Sequence, residues 1–183
     1  MQGDLLELRD CVLQCSRDVL SACAIPIGLD VDDIDDSGLE MSAQVATFIG
    51  FGGALLRGTL TLVAPFALLH AAYPIPICAP AEVPEADVLD WSGELVNQLL
   101  GRIKNRLAPR GVEIMASTPK SLRADQPRIQ RTTSTTICAL QFSSGPARLG
   151  VWFDAVAINE RSLFALTLPP GEACLLEGEV TLF

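Results

Sequence analysis

Histidine is nearly absent from this sequence: His70 is the only one in 183 residues. The cysteines, Cys11, Cys15, Cys23, Cys78, Cys138 and Cys174, are scattered and contain no CxxC pair. Structural zinc usually draws on two close ligand pairs, often with His, so a zinc site is not expected. The thiols read instead as reduced core residues, with Cys11 and Cys15 one helical turn apart. Basic residues are scarce too. Thirteen Lys and Arg stand against 22 Asp and Glu, giving a net charge of −9 and a pI near 4.5. A surface this acidic repels phosphate backbones and anionic lipid, which argues against nucleic acid and membrane partners. No apolar run reaches the roughly 18–20 residues of a bilayer span. The opening MQGDLLELRD carries acids where a secretory signal needs Lys or Arg. A cytoplasmic location is therefore expected.

What is present is material for a core. Hydrophobic residues make up 49% of the chain and charged residues only 19%, a globular composition that fits one domain over residues 1–183. Between Asp4 and Cys23, Leu5, Leu8, Val12, Cys15, Val19 and Cys23 recur at helical spacing, with Pro26 just beyond. LDVDDIDDSGLEM follows as an acidic, turn-rich loop. Its Asp33-x-Asp35-x-Ser37-Gly38 fragment mimics the start of an EF-hand, but the last ligand position holds Gln44 instead of a bidentate Glu. A solvated loop is the expectation there.

Strand patterns run over Met41–Phe51 and Leu55–Val63, joined at Gly50, Gly52 and Gly53 as in a hairpin. These glycines do not form a phosphate cradle, because no Lys-Ser/Thr and no helix follow. APFALLHAAY reads as a short helix with His70 at its end. Further strands are expected over Val112–Ser117, Thr132–Phe142 and Arg148–Ile158, with PKSLRADQPRIQR a polar loop and residues 159–183 a tail. The elements define an α+β fold: an antiparallel sheet carrying, on one side, a long helix and the N-terminal helix.

The long helix is the informative element. DVLDWSGELVNQLLGRIKNRLAPRG (87–111) has Pro84 near its start, Glu85 and Asp87 in the first turn, and Pro109 and Gly111 to stop it. At ~100° per residue, Leu89, Leu95, Val96, Leu99, Leu100, Ile103 and Leu107 share one arc. Asp90, Glu94, Asn97, Gly101 and Lys104 share the opposite one. Arg102 and Arg106 fall at the apolar edge, where their stems cover it and their heads reach water. A polar outer row is what any surface helix shows. This one has two unusual details. Gly101 costs a helix interior ~1 kcal/mol relative to Ala, yet opens a gap through which another surface can approach. The row also has no Glu–Lys ladder of the kind that decorates purely solvated helices.

Asp90-x3-Glu94-x2-Asn97 within DWSGELVNQLLG resembles the D/S-x3-E-x2-N signature of the CheC/CheX/FliY phosphatases of bacterial chemotaxis, which dephosphorylate the response regulator CheY. GELVNQLLGRIKNRL followed by RGVEIMASTP resembles the family's motif helix and the Ser-x-Pro strand after it. FGGALLRGTLTLVAPFALL resembles its first hairpin and short helix. The resemblance spans roughly residues 41–158. CheC-type members usually carry two motif helices. Here Glu7 is followed three residues on by Asp10, not Asn, so the single motif resembles the CheX-like class. Gln98, where the family commonly has Met, and the tail after Ile158 are departures.

The resemblance implies a phosphatase acting on the aspartyl phosphate of a CheY-type receiver. Asn97 would orient the attacking water and Glu94 would dock on the receiver's Lys, with Asp90, Gly101 and Lys104 on the partner-binding surface. It implies no metal or cofactor in this chain, since the Mg²⁺ belongs to the receiver, and it implies a homodimer. A non-catalytic adaptor or dimerisation module on the same scaffold is the alternative. Other chemistries fit less well. A glycosidase pair from Asp90 and Glu94 needs a cleft that a convex helix face does not provide. Ser92 falls on the core arc with no His near it in the sequence. Trp91 and Trp152 read as core or interface anchors. Arg123, Arg128 and Arg131 form a short solvated basic segment.

Overall fold

The helical spacing near the N-terminus produces α1, Gln2–Ala22, in the computed structural model, which describes residues 2–25, 28, 31–33, 44–74, 83–124 and 136–158. Leu8, Val12, Cys15 and Val19 of α1 are buried. The helix ends on Ala24, which takes the left-handed conformation (φ 55°) that usually falls to glycine. Ile25 N then donates to Leu20 O at 2.9 Å, and the Ile25 side chain is buried beneath the turn.

The seven described strands form one antiparallel sheet. They are β1 (Val31–Asp33), β2 (Gln44–Gly52), β3 (Leu56–Pro65), β4 (Met115–Ala116), β5 (Lys120–Ala124), β6 (Thr136–Ser144) and β7 (Ala147–Ala157). Their order is β1-β6-β7-β3-β2, and β4 and β5 lie one after the other along the far edge of β2. On β2, Val45, Thr47, Ile49 and Phe51 point to the helical side and are all buried. Leu60 and Leu62 of β3 and Val151 and Phe153 of β7 join them through the ladder, and Phe51 stacks on Phe153 with ring centroids 5.0 Å apart. On the opposite face Ala46, Val63, Ala139 and Trp152 form a second, smaller buried cluster.

The β2–β3 hairpin turns at Gly53, whose N donates to Leu56 O at 2.8 Å. A Cβ there would lie 1.9 Å from the Glu113 carbonyl oxygen, so only glycine allows the segment after the long helix to pass this close. The short helix α2, Phe66–Ala71, follows, with His70 exposed beside Phe66. The long helix α3 runs Glu85–Leu107, with Pro84 at its N-cap and a 3₁₀ turn, Ala108–Arg110, ending at left-handed Gly111.

Four expectations need correction. The expected solvated loop contains a strand, β1, in which Asp33 pairs with Leu140, and Gln44 opens β2 as a buried residue. The expected polar loop from Pro119 contains β5, paired with β2 from Gln44 to Phe48. The strand expected over Val112–Ser117 shrinks to Met115–Ala116. Thr132–Thr135, the start of the strand expected over Thr132–Phe142, lie outside the described residues. Of the thiols, Cys15 and Cys138 are buried, Cys11 and Cys23 are half-buried, and Cys78 and Cys174 lie outside the described residues. Arg123 is not merely solvated. It pairs with Glu85 and lies over the Phe66 ring, 4.2 Å from its centroid, clamping β5 to the start of α3. Arg128 and Arg131 are outside the described residues.

Candidate functional site

Two different faces of α3 fix the site. Its inner face buries Val88, Leu95, Val96, Leu99, Leu100, Ile103 and Leu107 against the sheet and α1. Leu89, on the margin, is half-buried. Asp90, Glu94, Asn97 and Lys104 are all exposed on the outer face, and Gly101 is half-buried between them. A methyl group on Gly101 would meet nothing within 4 Å, so the gap in the row opens outward. Among the described residues no side chain hydrogen-bonds Asp90, Asn97 or Lys104, whereas Glu94 accepts from Gln98 Nε2 at 3.0 Å. The amide of Asn97 is thus presented to solvent on a helix whose other face is locked in the core.

Three buried or half-buried hydroxyls hold that helix in register with the sheet. Thr47 Oγ1 lies 2.6 Å from Ser92 Oγ and 3.0 Å from Ser121 Oγ, and the two serines are 3.1 Å apart. Ser92 also reaches the Leu89 carbonyl oxygen at 2.8 Å. Ser92 therefore serves as a structural pin, as its place on the core arc implied. Removing one hydroxyl strands a partner away from water, whereas removing two strands less. Thr47→Val and Ser92→Ala should each cost about 1–2 kcal/mol, and the double variant should cost less than their sum. Chemical denaturation of the four-member cycle checks this; strict additivity would mean the hydroxyls do not cooperate.

A match to the family model of the chemotaxis phosphatase CheX covers residues 45–143, more than half of the chain, and spans β2 through most of β6 with the whole of α3. The chain belongs to the CheX family. No curated protein matches the sequence. Among solved structures, the chemotaxis protein CheX from Vibrio vulnificus superposes with a TM-score of 0.64 at 21% identity, covering 81% of this chain and 96% of that one. A chemotactic CheC-like protein from Shewanella oneidensis gives 0.66 at 19% identity, covering 85% and 100%. CheX in the CheX–CheY–BeF3–Mg²⁺ complex from Borrelia burgdorferi gives 0.61 at 15% identity, covering 80% and 96%. These likenesses establish the CheC/CheX-like fold, an antiparallel sheet with helices packed on it.

One feature of this CheX-family site runs against expectation: the helix face is not simply convex. The segment from Thr118 to Ser121 stands beside α3 and forms with it an open cleft of about 510 Å³. Asp90, Glu94 and Leu89 line one wall and Thr118, Pro119 and Lys120 the other. The cleft does not revive a glycosidase reading. Both carboxylates stand on the same helix, so nothing can bind between them as it must between a glycosidase's acid and nucleophile. The sequence hid the second wall because β5, which carries Lys120 and Ser121, pairs only at a sheet edge and shows no clean alternation. Trp152 is buried, and half-buried Trp91 meets Tyr73 edge-on, so both tryptophans act as packing anchors. Among the described residues no three His, Cys, Asp or Glu side chains cluster as a metal site would require, and no helix is long and apolar enough to cross a membrane.

Proposed function

We propose that this CheX-family chain hydrolyses the aspartyl phosphate of a CheY-type response regulator in the cytoplasm. The observation that carries the reading is the exposed acid and amide, Glu94 and Asn97, on the outer face of a helix anchored along its inner one. A receiver's phosphorylation pocket brings its own Mg²⁺ and Lys, and what it lacks is a water in line with the phosphorus. The Asn97 side-chain oxygen accepts a hydrogen bond from such a water, and its NH₂ donates without adding charge. The water oxygen bonds to phosphorus as the aspartyl oxygen–phosphorus bond breaks. The electron pair stays on the aspartate and a water proton ends on the departing phosphate. Asn97 contributes by positioning and takes no proton. Glu94, one turn away, pairs with the receiver's Lys and sets the docking register. Asp90 and Lys104 flank that contact, and the gap at Gly101 lets the receiver surface close on the helix. The chain itself needs no metal or cofactor for these roles. Decay of a radiolabelled phospho-receiver with and without the chain tests the reading; equal decay rates would leave only an adaptor's role.

The same proposal includes a homodimer. It is supported by apolar side chains left exposed on the sheet face away from the helices: Phe48 at 39%, Leu122 at 45% and Met115 at 79% of their surfaces. Phe48 pairs across the ladder with Lys120 and Ala46 with Leu122, so Phe48 and Leu122 sit as neighbours on that face. Exposed apolar side chains on one sheet face favour a self-complementary contact. Light scattering over a dilution series at micromolar concentration should return twice the 19.5 kDa chain mass; a constant monomer mass rules the dimer out.

A further inference from the structure

Glu94 is held by a neighbour on its own helix. Gln98 Nε2 donates to Glu94 Oε1 at 3.0 Å, while Gln98 Oε1 accepts the Cys23 thiol at an Sγ–Oε1 distance of 4.0 Å. Cys23 lies at the far end of α1, and its backbone is fixed by the termination of that helix. Its N donates to Val19 O at 3.0 Å, and the left-handed turn at Ala24 is closed by buried Ile25. Burial, the largest influence, pushes the Cys23 thiol up; Arg102 pulls it down and the Glu94 charge pushes it up again. The net upward direction keeps the sulfur protonated at neutral pH, so it remains a donor. Three side chains thus run from the anchored end of α1 to the motif carboxylate at the surface. A second tie, Arg106 to Asp18 at 3.2 Å, fixes the same two helices relative to each other.

We propose that Gln98, steadied from α1 through Cys23, is a positioning residue that presets the Glu94 carboxylate for docking on the receiver's lysine. The proposal rests on the functional reading above. A surface glutamate left to itself samples several rotamers, and docking must immobilise it. A neutral amide donor restricts those rotamers without cancelling the charge. An ionised carboxylate has about four acceptor sites, so it accepts from Gln98 and from a lysine together. The contact to the thiol is the weaker link and the amide contact the working one.

Gln98→Met has similar length and helix propensity but no donor, and the position is exposed, so the variant folds. In phospho-receiver hydrolysis its KM should rise about 2- to 10-fold, the range expected for one side chain that must be immobilised on binding, with kcat unchanged. Gln98→Glu, which sets like charges one turn apart, should raise KM further, and Cys23→Ala should raise it less. A merely structural residue would not give this split. The isolated chain offers a second readout in the NMR signals of the Gln98 side-chain amide. They should shift in Glu94→Ala and in Cys23→Ala, and stay in place in Asp90→Ala. A wild-type KM in Gln98→Met, or Gln98 amide signals indifferent to Glu94→Ala, overturns the proposal. Failure of the wild-type chain to hydrolyse any phospho-receiver overturns the functional reading instead, and the amide signals still decide whether Gln98 holds Glu94.

Discussion

Asn97→Ala is expected to keep receiver binding within about twofold while lowering hydrolysis by ~10²-fold or more, the loss typical of a positioning group. Asn97 is exposed, and among the described residues no side chain hydrogen-bonds it, so its removal strands no partner and opens no cavity. Alanine is the stronger helix former, so stability should change by less than ~1 kcal/mol. The charge of the row is also unchanged, because an amide carries none. The variant therefore separates docking from chemistry more cleanly than any other on this face. Binding is measured on a receiver loaded with BeF3 and Mg²⁺, the beryllofluoride serving as a non-hydrolysable stand-in for the phosphoryl group. Hydrolysis is measured on the phospho-receiver itself. Wild-type hydrolysis in Asn97→Ala would reduce the row to a solvated helix face.

The outer row could be read from the sequence because α3 follows the simplest rule available. Its core residues repeat at helical spacing over six turns, which leaves no doubt about where Asp90, Glu94 and Asn97 point. The hairpin of β2 and β3 was legible for a similar reason, since hydrophobic alternation bracketed a glycine-rich turn. The missed strands obey a weaker rule. β1 is only three residues, Val31–Asp33, and two of them are acids. β5 reads KSLRA and lies along the sheet's edge, where backbone pairing to β2 does not depend on alternating side chains. Missing β5 also hid the cleft, because Lys120 and Ser121 reach α3 only once that edge strand is in place. Gln98 was visible as a departure from the family's usual Met. Its contact with Cys23 was not, since it depends on how α1 and α3 pack, and no local pattern records that.

Glu94 should fail in the opposite way from Asn97. In the free chain its carboxylate is exposed and, among the described residues, hydrogen-bonded only by Gln98, so Glu94→Ala should also change stability by less than ~1 kcal/mol. In the docked complex the same carboxylate would lie against the receiver's lysine, shielded from water by both surfaces. Truncating one member of such a pair leaves the other charge desolvated and unpaired, at a cost of about 2 kcal/mol or more, which is roughly 30-fold in Kd. Glu94→Ala should therefore weaken binding of the beryllofluoride-loaded receiver by about that factor, well beyond the effect of Gln98→Met, which removes only the support of the carboxylate. Glu94→Lys should weaken it further, because two ammonium groups then face each other, and raised salt should narrow the gap between the two variants by screening. Saturating receiver should restore most of the hydrolysis in Glu94→Ala, since on the proposed mechanism Asn97 would remain to orient the water. If instead Glu94→Ala bound with wild-type affinity and lost hydrolysis at saturation, Glu94 would belong to the reaction itself and the docking register would have to come from Asp90 and Lys104.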